Sequence, residues 1–194
     1  MVSQRLVLAS TSPYRRELLA RLRLPFEIRA PGVDEVARPG EAPRETAIRL
    51  AQSKARAVAP TCEDALVIGS DQVASLDGKS IGKPGTHELA VSQLKAMRGK
   101  CVTFHTALAL LNTTSGAMKI VEVPTAVYFR NCSDDEIERY LALERPYDCT
   151  GSARIEGLGV ALVERIISDD PSALIGLPLM QLVSLLRSEG VRIL

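Results

Sequence analysis

An α/β fold is predicted for this sequence: a mixed, twisted sheet with helices on its faces and two lobes around a central cleft. Three observations carry that prediction. Short apolar runs such as Leu66-Val-Ile-Gly-Ser70 alternate with capped amphipathic segments, the pattern of strands and helices in turn. Two long extended stretches, 102–111 and 119–130, flank a Thr-Thr-Ser-Gly turn and read as an antiparallel pair. A chain of 194 residues, 46% hydrophobic and 24% charged, suits one globular domain over residues 1–194.

The elements follow in order. Arg5 to Ala9 reads as a buried strand, after which Ser12 can cap a helix whose first turn accepts Pro13 without losing an amide donor. Phe26 to Ala30 is a second strand ended by Pro31-Gly32, which leaves Val33-Asp34-Glu35 in a loop. The helix expected from Pro43 to Val58 has Ala47, Ile48, Leu50, Ala51 and Ala55 on its apolar side, with Lys54 near the buried edge. Leu66 to Ser70 runs on through Asp71-Gln72 and extends to the Asp77-Gly78 turn; Lys79 to Gly82 returns and delivers Lys83-Pro84. Thr86 caps a helix ending near Arg98-Gly99. Ser133-Asp-Asp-Glu136 is a capping box for a helix to about Leu143, closed by Arg145-Pro146. Gly151 to Gly159, with three glycines around Arg154 and Glu156, reads as a loop near a site or a tight crossing. A late strand is expected from Gly159 to Ile166 and a last helix from Pro178 to Glu189.

Charge and composition narrow the partners. A formal net charge of +1 with no Lys/Arg stripe argues against a nucleic-acid surface, so a bound anion is expected to be small and held locally. The first residues lack a cationic region followed by a long apolar stretch, and no run approaches the roughly 20 apolar residues of a membrane span. The expectation is therefore a soluble, cytoplasmic protein without membrane partners. Cys62, Cys101, Cys132 and Cys149 are far apart, form no CxxC pair and have only His87 and His105 to join them, which favours buried or half-buried free thiols over a zinc site.

Several residues stand where chemistry is plausible. Asp71 emerges from an apolar strand, where a carboxylate can bind a divalent metal or accept a proton from water; a turn or helix cap is the alternative for such a position. Arg15, Lys54 and Lys83 come from three segments and suit a clamp on a polyphosphate, although surface cations look alike in sequence. The strand-to-helix turn with Ser10, Ser12 and Arg15 or Arg16 suits an anion at a helix N-terminus.

The set Ala-Ser-x-Ser-Pro-x-Arg-Arg, Val-Asp-Glu, Leu-Ala-x-x-Lys-Ala, Gly-Ser-Asp-Gln and Gly-Lys-Pro resembles the Maf family of nucleotide pyrophosphatases, and the resemblance covers nearly the whole chain. It implies a Maf/Ham1-like fold around a nucleotide cleft, and hydrolysis of a nucleoside triphosphate between its α and β phosphates with a divalent cation, Mg2+ or Mn2+. Asp71 falls on the family's proton acceptor and Glu35 on its second acidic position, so both are implied metal ligands. Ser10, Arg15, Lys54 and Lys83 match its phosphate-facing set. The physics agrees, because cations neutralise charge on the transferring phosphoryl group and on departing pyrophosphate.

Base preference is implied by Tyr14, Gln72 and Glu156. Glu156, when ionised, offers acceptors to the N1 and N2 hydrogens of guanine. An aromatic face at Tyr14 gains a cation-π term when the base is methylated at N7; packing on a neighbour is the plainer role for such a ring. Pyrimidine-specific relatives carry a basic residue, a Thr and an amide at these three positions. The chain instead resembles the 7-methyl-GTP branch, which often has Trp where Tyr14 stands. Enzymes for dTTP, UTP or CTP, or for a broad nucleotide set, are the nearest alternatives, and a nucleotide-sensing regulator of septum formation is the alternative of another class. A homodimer is left open.

Overall fold

A computed structural model describes residues 4–194. Its strands are β1 (Arg5–Ala9), β2 (Phe26–Arg29), β3 (Ala65–Leu76), β4 (Lys79–Ile81), β5 (Cys101–Asn112), β6 (Met118–Phe129) and β7 (Val163–Ser168). Its helices are α1 (Pro13–Ala20), α2 (Pro43–Val58), α3 (His87–Met97), α4 (Asp134–Glu144) and α5 (Leu179–Ser188). One mixed sheet runs β2-β1-β3-β5-β6-β7, with β4 paired to β3. The β2-β1-β3 contacts are parallel and the rest antiparallel, as expected of a chain that mixes strand-helix alternation with hairpins.

Period-2 alternation along β3 and β5 sends side chains to two different packing partners. On one face Val67, Ala107 and Ala109 meet the small side chains Ala47, Ala51 and Ala55 of α2. On the other, Leu66, Ile68, Leu108 and Leu110 pack with Leu18 and Leu19 of α1 and Leu182 and Leu186 of α5. Further along the same strands a second core joins Ala74, Phe104, Val127 and Phe129 to Leu94 and Met97 of α3 and Ile137 and Leu141 of α4. These are the two lobes.

The boundary between the lobes is written in the pairing of β3. On one edge β3 bonds β1 only over Ala65 to Ile68, and β4 only over Ala74 to Leu76. Residues 69–73 therefore have no strand neighbour on that edge among the described residues, whereas their other edge pairs with β5 throughout. Asp71 and Gln72 sit in this gap.

Gly69 fixes how close α2 comes to it. A Cβ added there would lie 2.1 Å from the carbonyl oxygen of Ala51 and 2.8 Å from the amide nitrogen of Ala55, so only glycine lets the helix backbone rest on the strand.

Three sequence expectations change. The stretch 158–162 is a 3-10 turn, and the strand expected from Gly159 begins at Val163, because Gly157 and Gly159 donate their amides to the Arg154 carbonyl and hold the chain in tight turns. The second strand stops at Arg29 rather than Ala30. Cys101 lies exposed at the start of β5, while Cys62 and Cys132 are buried and Cys149 is half-buried; all four are free thiols. Among the described residues no helix is long and apolar enough to cross a membrane.

Replacing Gly69 with Ala is expected to cost about 1–3 kcal/mol by overpacking, a fall in Tm of roughly 3–10 °C for a domain of this size. Thermal unfolding followed by circular dichroism checks it, and an unchanged Tm would contradict the close contact of α2 with β3.

Candidate active site

A cleft of about 600 Å3 opens at the gap in β3, and Ser10, Tyr14, Arg15, Glu35, Lys54, Asp71, Gln72, Lys83 and Glu156 all line it. Nine positions singled out in the sequence thus converge on one cavity.

Its floor is an ion-pair cluster. Lys54 is 3% exposed, and its Nζ lies 2.6 Å from Asp71 Oδ1 and 2.6 Å from Glu35 Oε1. Asp71 Oδ2 has no hydrogen-bond partner among the described residues, yet it is not a buried orphan, so it faces the cleft. Burial lifts the Asp71 carboxyl above the ordinary range, and the charges of Lys54 and Arg15 offset this only in part. Burial also works against ionised Glu35, but there the Lys54 bond and the charges of Lys54, Arg15 and Lys83 win and hold its carboxyl low.

The turn before α1 supplies the adjoining wall. Ser10, nearly buried, accepts from the amide of Ser12 at 3.1 Å, and Ser12 caps the helix by accepting from the amide of Arg15. Arg15 Nε donates to the Gly176 carbonyl at 2.8 Å, which anchors the guanidinium and leaves both Nη nitrogens without a protein partner among the described residues. Burial weakens the hold of Arg15 on its proton, and the facing charges of Asp71 and Glu35 oppose that effect. Arg16 is exposed and does not line the cleft, so Arg15 is the inward member of the pair.

At the opposite end the Tyr14 ring is half-buried, with its hydroxyl 3.8 Å from Cys149 Sγ. Burial and this thiol contact push the phenol up to about 12, and burial pushes the Cys149 thiol up to about 11, so both stay protonated near neutrality. Glu156 is partly exposed, with Oε1 3.7 Å from Arg154 Nε. The amide of Gln72 is committed to the protein: its Nε2 donates to Thr106 Oγ1 at 3.0 Å and to the carbonyls of Ala173 at 3.0 Å and Leu174 at 2.9 Å. Only Oε1 of Gln72 is left to face a ligand.

Some supports were not singled out in the sequence. Asp170, wholly buried, accepts from the amides of Ser172, Met180 and Gln181 and from the Ser172 hydroxyl. That staple holds the 171–178 segment whose Gly176 carbonyl anchors Arg15; the Asp-Pro pair, a turn-starting signal, is its trace in sequence. Arg49 grips Glu41 through two bonds of 2.6 and 2.7 Å and donates to the Val36 carbonyl at 3.1 Å. It thereby ties the loop bearing Glu35 to the helix bearing Lys54.

The donor set suits a hard divalent cation shared with a ligand. Among the described residues no three His, Cys, Asp or Glu side chains form a metal cluster, so the protein builds no closed cage. Two carboxylates on the floor of a cleft that also carries three cations match the way Mg2+ is commonly held, by one or two carboxylates together with phosphate oxygens.

Comparison with known proteins gives a consistent answer. A family model described as Maf-like protein matches residues 5–189. The 7-methyl-GTP pyrophosphatase of Thiobacillus denitrificans is 59% identical over 192 residues, covering 99% of this chain and 96% of the relative. The protein of the same name from Cupriavidus metallidurans is 57% identical, covering 95% of this chain and 93% of the relative, and that of Albidiferax ferrireducens is 53% identical, covering 100% and 97%.

Asp170→Ala removes both acceptors of the staple and is expected to lower stability by about 3 kcal/mol, the scale of several buried donors left unpaired. Chemical denaturation measures it, and a loss under about 0.5 kcal/mol, the range of an ordinary surface change, would contradict the role given to Asp170.

Proposed function

The chain belongs to the Maf family, and on that footing we propose that it is a nucleoside triphosphate pyrophosphatase that converts 7-methyl-GTP to 7-methyl-GMP and pyrophosphate. The observation that carries this reading is the gap in β3, which puts a general-base candidate, three cations and an aromatic-acidic base end into one cleft.

The geometry supports a division of labour. Arg15, Lys54 and Lys83 meet the phosphate chain, with Ser10 beside them. Asp71 accepts a proton from the attacking water through Oδ2 while Lys54 holds Oδ1. A raised carboxyl is the better proton acceptor, provided that it is ionised at the working pH. Charge that develops on departing pyrophosphate is met by the cations of the cleft. Glu35 and Asp71 would hold Mg2+ or Mn2+ together with phosphate oxygens, and that ion supplies further charge neutralisation.

At the other end, the Tyr14 ring offers its face to the purine and Glu156 accepts from guanine N1 and N2. A base methylated at N7 carries positive charge, so both groups favour it over GTP. Gln72 contributes by fixing the 173–174 segment beside the cleft and presenting its one free oxygen. The enzyme acts in the cytoplasm as a single domain, clearing a modified nucleotide from the pool.

Relative kcat/KM for 7-methyl-GTP, GTP, dTTP and UTP, with Mg2+ or Mn2+, tests the assignment; a preference for dTTP or UTP would overturn it. Asp71→Asn is expected to reduce kcat by about 10²- to 10⁴-fold with the fold retained, and substantial residual turnover would remove Asp71 from its role. Tyr14→Ala is expected to raise KM for 7-methyl-GTP roughly 2- to 30-fold more than KM for GTP, the equivalent of a cation-π term of about 0.5–2 kcal/mol. Equal effects on the two substrates would dismiss the cation-π account.

A further inference from the structure

Arg154 does not line the cleft, yet it touches both groups at the base end. Its guanidinium carbon stands 5.6 Å from the centroid of the Tyr14 ring, and its Nε is 3.7 Å from Glu156 Oε1. Its Nη1 bonds Glu144 Oε1 at 3.2 Å, and Glu144 Oε2 accepts from the amide of Leu158 at 2.8 Å.

The backbone around it is pinned. The Arg154 amide donates to the Tyr140 hydroxyl at 3.0 Å, and its carbonyl accepts from Gly157 and Gly159. A Cβ on Gly157 would stand 2.6 Å from Glu144 Oε1, and one on Gly159 would stand 2.4 Å from the Arg154 carbonyl oxygen. Gly157 and Gly159, read in the sequence as part of a loop near a site or a tight crossing, make room for this clamp. Within it, Arg154 Nε is the one buried side-chain nitrogen or oxygen without a hydrogen-bond partner among the described residues.

Such an N–H is costly to leave unbonded, and Glu156 stands just beyond bonding distance. At 3.7 Å the charge orients Glu156 while its lone pairs stay available to the cleft. The flat guanidinium meanwhile packs on the aromatic ring, which a lysine ammonium reproduces poorly.

We propose that Arg154 is a specificity-determining positioning residue that holds the Tyr14 ring and the Glu156 carboxylate in one register from outside the cleft. This rests on the reading above that Tyr14 and Glu156 recognise the base. It makes the base end a three-residue unit in which two members face the ligand and the third sets their spacing.

The test compares KM and kcat of Arg154→Met and Arg154→Lys for 7-methyl-GTP, GTP and dTTP. In Arg154→Met, KM for the two guanine nucleotides is expected to rise roughly tenfold, the scale on which small misplacements are felt. The kcat for these substrates changes far less, KM for dTTP does not rise, and guanine preference collapses. Arg154→Lys keeps the charge and recovers only part of the preference. A guanine preference unchanged within about twofold would overturn the proposal, and so would a uniform loss across all three nucleotides, which is the mark of a merely structural residue. Should the Met variant fail to fold, Arg154→Gln removes the charge while keeping a polar side chain and is read in the same way. Tyr14→Ala and Glu156→Gln run in parallel separate two failures. If they too leave base preference intact, the base reading itself is wrong; if they shift it and Arg154→Met does not, only the role of Arg154 falls.

Discussion

The cleft depends on one contact, the buried pair between Lys54 and Asp71 with Nζ and Oδ1 2.6 Å apart. Removing one partner of a buried pair typically costs about 3–5 kcal/mol through the charge left behind, and Glu35, also 2.6 Å from Lys54, bears part of that load when Asp71 is replaced. Each therefore holds the other in place. The pair also joins the two architectural choices that make the site: an α2 helix laid against β3 at Gly69, and a strand whose edge is open from residue 69 to residue 73. Had β1 or β4 extended across that gap, Asp71 would sit in an uninterrupted sheet with no space before it.

Charge balance around this pair explains what the cleft attracts. Three cations, Arg15, Lys54 and Lys83, line the cleft together with four carboxyl groups, those of Glu35, Asp71, Asp148 and Glu156. That balance suits a polyanion that brings its own divalent counter-ion better than a bare one. The opposing carboxyl shifts sharpen the point. Glu35 is held low and remains an anion, whereas Asp71 is lifted by burial and retains basicity. Two carboxyl groups on one lysine are thus differentiated by environment, which suits the proposed division into a charge-holding group and a proton-accepting one.

How much of this was legible in the sequence divides by range. Caps and turns act within a few residues, so Ser12 with Pro13, Thr86 and the Ser133 to Glu136 box marked their helices, and α2 falls on Pro43 to Val58 as read. The apolar run from Gly159 misled because a strand and a tight turn can share one apolar composition; what decides between them is the amides of Gly157 and Gly159 returning to Arg154. Gln72 shows a different limit. Its identity was readable, but the three acceptors that consume its amide come from Thr106, Ala173 and Leu174, far along the chain. Asp170 and Arg49 were passed over for the same reason, since each acts by gripping backbone or charge that spacing alone does not bring near.

The tyrosine at position 14 is better understood from its surroundings than from its difference from a larger indole. Its hydroxyl rests against the Cys149 thiol, and with both groups pushed well above neutrality neither ionises in the working range. The ring therefore stays a neutral aromatic face instead of becoming a phenolate, which would attract any cation regardless of shape. A phenol ring gives a weaker cation-π attraction than an indole, so on the proposed reading discrimination would rest more on the carboxylate of Glu156, through charge and hydrogen-bond direction together. Glu156 is carried on a turn held by Glu144 and on glycines whose surroundings admit no side chain. On the proposed reading of the base end, the hydrogen bonds that hold the 154–159 turn, more than the area of the ring, are then what would separate a methylated guanine from an unmethylated one.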